Sequence, residues 1–91
     1  MNEVFSKTVG PNATLCDQEF YELKLYDSDD IWNPGHMVMQ SRAFWSKVDQ
    51  QFMWDEIETE RWPTPKEAEE RYAARRRALV KRGFIYSDMD F

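Results

Sequence analysis

His36 and Cys16 are the one histidine and the one cysteine of this 91-residue chain. They are the first residues to ask about chemistry. A thiol nucleophile needs a base beside it and a third group to orient that base. Neither Leu15-Cys16-Asp17 nor Pro34-Gly35-His36 offers a pattern of that kind, and His36 reads as a turn or surface histidine. The sequence has no G-x-S-x-G elbow, no phosphate loop and no zinc spacing. The nearest thing to a carboxylate cluster is Asp55, Glu56, Glu58 and Glu60. Along a strand the last three point to one side, so they read as a solvated acidic stripe and not as an acid/base pair or a metal cage. The expectation is a protein that is not an enzyme, with no metal, cofactor or small-molecule substrate.

Charge supplies the second kind of chemistry. The net charge is −5, but residues 1–60 hold twelve acids against four bases and residues 61–91 hold eight bases against five acids. From Arg71 to Arg82 there are six bases and no acid. On a helix, Arg71, Arg75 and Arg82 fall near one line, and Arg77 and Lys81, with Arg76 beside them, form a second. Such lines could follow a phosphate backbone. The competing reading is a solvated face that balances an acidic sheet in the same molecule.

These residues must be held by something, and the length bounds what that is. Ninety-one residues make one small domain, 1–91, in which large side chains have to do the burying. Four Trp, four Tyr and six Phe are available for that core. One cysteine permits no internal disulfide, the first residues carry no secretory pattern, and no apolar run is long enough to cross a membrane. A cytoplasmic, soluble protein is the expectation.

Elements can be placed from pattern. Residues 4–9 are β-prone and end at Gly10-Pro11. Residues 19–26 alternate, with Tyr21, Leu23 and Leu25 on one face and Glu22 and Lys24 on the other. Residues 27–35 form a polar loop that sets Trp32 among acids; Trp32 is expected to fold back and cap the core, its alternative being an exposed anchor. Residues 36–47 read as a long middle strand, with Met37, Met39, Ala43 and Trp45 on one side and Val38, Gln40, Arg42 and Phe44 on the other. Residues 50–58 read as its hairpin partner, where Phe52, Trp54, Glu56 and Glu58 share a face, after a tight connection at residues 49–51. Thr64-Pro65-Lys66-Glu67 spells a capping box with proline at the first helical position, and Gly83 closes the helix after Lys81 and Arg82. Ala68, Tyr72, Leu79 and Val80 mark the side that lies on the sheet, with Arg75 or Arg76 at its edge. The fold class is α+β: a small twisted antiparallel sheet of about four strands packed against one C-terminal helix, with Phe84-Ile85-Tyr86 passing back across the sheet.

Three separated stretches, Phe20-Tyr21-Glu22-Leu23, Phe44-Trp45-Ser46-Lys47-Val48-Asp49 and Arg82-Gly83-Phe84, together resemble a WGR domain. The resemblance covers about 70 residues. That family has Trp-Gly-Arg-Val/Ile-Gly at the end of a central strand, so Trp45 matches the motif Trp, Lys47 stands for the Arg and Val48 for the aliphatic residue. Ser46 and Asp49 replace the two glycines. The resemblance implies a sheet-and-helix fold and a DNA-binding role with Trp45 and Lys47 near nucleic acid; Arg42 and the helix bases Arg71, Arg75 and Arg76 complete the expected nucleic-acid contacts. Lysine in place of arginine gives up the planar two-point grip on a phosphate.

A second class of function fits the acidic half. A small acidic protein could present Asp27, Asp29, Asp30, Asp55, Glu56, Glu58 and Glu60 to the basic groove of a DNA-binding protein, as a phage- or mobile-element inhibitor would, because rows of carboxylates compete for the lysines and arginines that DNA uses. The expected partner is therefore DNA or a DNA-binding protein.

Overall fold

A computed structural model of the chain describes residues 1–12, 14–28, 31–32 and 34–87, the side chains of Leu15, Glu56 and Ile57 excepted. Asp29 and Asp30 of the acidic set, and all but the first residue of the tail at 87–91, lie outside the described residues. The elements are β1 (Asn2–Thr8), a short 3-10 turn (Leu15–Asp17), β2 (Gln18–Ser28), β3 (Gly35–Ser46), β4 (Gln51–Trp62), α1 (Pro65–Lys81) and β5 (Ile85–Ser87). The strands form one sheet in the order β4-β3-β2-β1-β5, and each described pairing is antiparallel. Among the described residues the sheet therefore has five strands where about four were expected. The extra one is short: once Phe84 has entered the core, Ile85, Tyr86 and Ser87 pair with Ser6, Phe5 and Val4.

Directly opposed residues of an antiparallel pair share a face, which sorts the sheet into two sides. Phe5, Tyr21, Leu23 and Val38 face α1 and bury with Ala68, Tyr72, Leu79 and Phe84. On the reverse side Phe20 and Ala43 are wholly buried, Phe52 lies edge-on to Phe20 at 5.6 Å, and Trp45 lies edge-on to Phe52 at 5.4 Å. A second aromatic cluster thus sits behind the first, and Trp45 belongs to it, half-buried. The alternation read for β3 holds. That read for residues 50–58 does not, because Gln40 pairs with Glu58 while Ser41 pairs with Glu56, leaving position 57 without an opposite number. One extra residue reverses the parity of everything after it. Phe52 and Trp54 therefore lie on the reverse face, and Glu58 and Glu60 turn toward the helix.

The helix is built as its sequence dictates. Thr64 Oγ1 accepts from the Glu67 backbone N–H at 3.2 Å and donates to the Glu67 carboxylate at 3.0 Å. At the other end Gly83 takes φ +94°, and the N–H groups of Gly83 and Phe84 bond back to the carbonyls of Val80 and Leu79. This is a Schellman closure, with Phe84 and Leu79 supplying its apolar contact. Val80 departs from expectation at 57 % exposure, and Arg75, only 8 % exposed, lies with Ala68, Tyr72 and Leu79 on the buried side of the helix. Trp32 also departs, standing 88 % exposed in its loop.

Candidate nucleic-acid interface

Arg71, Arg75 and Arg76 project from α1 onto acids of the sheet. Arg71 forks onto Glu60, its Nε to Oε2 at 2.8 Å and its Nη2 to Oε1 at 3.1 Å. Arg75 donates to Gln40 Oε1 at 2.6 Å and to Glu60 Oε1 at 2.8 Å, and lies 2.7 Å from Glu58 Oε2. Arg76 is paired with Glu3, which also accepts from the Tyr72 hydroxyl at 2.6 Å. The Arg71 fork holds the Glu60 carboxyl at about 2, well below the usual 4.5, with Arg75 adding to it against the opposing effect of burial. Burial, with the Glu3 carboxylate behind it, pushes the Tyr72 hydroxyl above the ordinary phenol range. The register shift in β4 is what delivers Glu58 and Glu60 to these arginines.

The same contacts occupy part of the acidic set. Glu58 and Glu60 face the helix and are held by its arginines, where a solvated stripe was expected. Asp55 lies 3.6 Å from Arg42, and Asp27 lies 2.5 Å from His36 Nδ1. The two sets of charge that the sequence separates by half the chain are thus joined across one interface.

Other charges remain outward. Arg77, Lys81 and Arg82, in the last turns of α1 and at its cap, are exposed and make no ion pair among the described residues. Lys7 reaches the same end from β1 and caps the Arg82 carbonyl with its Nζ at 2.7 Å. The Arg82 guanidinium lies over both Tyr21 and Phe84, 5.3 Å from each ring centre, which fixes it without neutralising it. Tyr21 pairs with Arg42, whose guanidinium lies 5.4 Å from the Phe44 ring centre. The helix C-terminus is therefore a basic pole at which Arg82 rests on aromatic rings. The opposite end is acidic: Glu67, Glu69 and Glu70 are exposed there, and Asp27, His36, Pro65 and Glu69 line one cleft.

Lys47 is exposed in the β3–β4 turn, beyond Trp45. In that turn Ser46 and Asp49 bond to each other: the Asp49 N–H donates to Ser46 Oγ at 3.2 Å, and that hydroxyl donates to Asp49 Oδ2 at 3.1 Å. The turn occupies residues 47–50, and Gln50 takes the left-handed conformation, φ +57°, that a glycine would ordinarily fill.

Of the residues expected to contact nucleic acid, Arg42 and Lys47 lie at or beyond the basic pole, Trp45 sits in the reverse cluster, and Arg71, Arg75 and Arg76 lie against the sheet. Lys7 was missed, since only the β1–β2 register brings it to the helix terminus, and no local signal marks it. Compared with protein-family models, curated proteins and solved structures, the chain matches none.

Proposed function

We propose that the chain is a non-catalytic nucleic-acid-binding module, used in the manner of the WGR domains it resembles but through a different set of bases. The observation that supports this is the sorting of the arginines. Arg71, Arg75 and Arg76 are held by carboxylates, while Arg77, Lys81 and Arg82 lie with Lys7 toward one pole with no ion pair among the described residues. Arg42 and Lys47 extend that pole along β3 toward the hairpin tip. Arginines resting on aromatic rings lose little side-chain freedom on meeting a phosphate, and the acidic far end orients the approach.

Band-shift titration on double-stranded, nicked and single-stranded DNA tests the reading. Log affinity is expected to fall with log salt at a slope of roughly −0.9 per duplex phosphate contacted. Arg77→Glu, Lys81→Glu and Arg82→Glu together abolish binding while leaving the folded circular-dichroism spectrum in place. No retarded band at low salt on any of the three DNAs rejects the reading.

A second reading, a surface for a basic DNA-binding protein, is favoured by one observation. Ile31 and Trp32 stand 83 % and 88 % exposed in the loop that follows Asp27 at the end of β2. An exposed Trp beside carboxylates suits an apolar pocket rimmed with bases. Cross-linking from position 31 in host lysate, with Trp32→Ala as control, is expected on that reading to capture a nuclease or polymerase subunit. Capture that Trp32→Ala leaves unchanged rejects it.

A further inference from the structure

Among the described residues β4 is one border of the sheet, paired with β3 on one side. A border strand carries a row of backbone donors and acceptors that another strand can continue, and proteins ordinarily blunt such rows with charge, proline or a bulge. The two halves of β4 differ in this respect. Residues 55–61 contain four acids, one base and the register shift. Gln51, Phe52, Met53 and Trp54 carry no charge and no proline, lie in regular register with β3, and leave Trp54 41 % exposed. The other border, β5, has three described residues, Ile85–Ser87.

We infer that residues 51–55 pair antiparallel with the same residues of a second copy of this chain, about a two-fold axis at Met53. In that register Phe52 of each copy lies opposite Trp54 of the other, and Gln51 opposite Asp55. Opposed aromatic side chains are a favourable cross-strand pair. Phe52 and Trp54 both sit on the reverse face, opposite Trp45 and Ala43 of β3, so the aromatic clusters of the two copies become one across the axis. Charge selects the register. A pairing centred on Glu58 sets that residue against itself and Glu56 against Glu60, and the extra residue at 57 interrupts it as well. The pairing centred on Met53 opposes no two acids. A two-fold contact uses the same patch on both copies and closes on itself, so the assembly stops at two. Nothing in this depends on nucleic-acid binding, and the two can fail separately.

Sedimentation equilibrium from micromolar to millimolar concentration is expected to show the 11.0 kDa chain in equilibrium with a species of twice that mass. Met53→Lys shifts the equilibrium to monomer without changing the circular-dichroism spectrum. Cross-linking gives a second reading that does not depend on that variant folding. Antiparallel partners lie about 4.5 to 5.5 Å apart at Cα, within the span of a disulfide. With the exposed Cys16 changed to Ser to remove a competing thiol, Met53→Cys is expected to oxidise to a linked dimer many-fold faster than Thr59→Cys on the other half of the same edge. A mass that stays at one chain throughout, a mass that rises beyond two chains, or equal linking rates at positions 53 and 59 would overturn the inference.

Discussion

Arg75 shows how one residue can decide between two readings of a charged helix. By type it is a solvent residue, yet it lies under α1 with Gln40, Glu58 and Glu60 around its guanidinium. Removing it leaves Glu60 with the Arg71 fork alone and takes away charge-assisted bonds to Glu60 and Gln40. Arg75→Ala is therefore expected to destabilise the fold by about 2 kcal/mol, measured by urea denaturation. Glu60 makes the complementary prediction through pH. Folding holds its carboxyl at about 2, below the ordinary 4.5, so the stability it contributes is present above 4.5 and is lost as pH falls from there toward 2. Glu60→Gln should be less stable than the parent at neutral pH and should show a shallower loss between those values; parallel acid limbs for the two proteins would refute the assignment. Ser46 and Asp49 teach a related lesson. Each looks like damage to a glycine motif when read alone, and together they form a hydrogen-bonded turn.

Among the elements, α1 was the most legible in the sequence, because capping is decided by neighbours within four residues. Thr64, Pro65 and Glu67 mark its start and Gly83 its end, and both operate as read. Thr64→Ala should cost about 1 kcal/mol. Gly83→Ala should cost about 1 to 2 kcal/mol through its left-handed backbone, since a methyl group there would meet Lys7 Cε at 3.5 Å, an ordinary contact. Equal thermal midpoints for parent and variants would show that the caps do not limit stability. The strands were legible in place and face as far as β3. β4 was not, because its parity turns on an extra residue at 57 that only pairing with β3 reveals. That slip carried the error into the site: the glutamates read as solvated are the ones the helix arginines hold. Val80 was misread for a simpler reason: it is apolar and next to Leu79, but one residue on it has turned about 100° away from the buried line of Ala68, Tyr72, Arg75 and Leu79.

At the scale of the whole molecule, the extents of 45 × 28 × 18 Å describe one helix laid on one sheet, with a second cluster behind. Opposite charges separated along the chain are brought together in the middle and left apart at the ends, so a net charge of −5 coexists with a basic pole. The inward grip of β1 on the helix has a further consequence for how the protein is made. Glu3 reaches Tyr72 and Arg76, and Lys7 reaches Arg82, spans of 69 to 75 residues. On the ribosome the opening strand emerges long before the segment that will secure it has been translated, and contacts this distant in sequence form late. A nascent chain halted after residue 63 should accordingly remain open to protease, and resistance should arrive in a single step once residues 65–84 are clear of the exit tunnel.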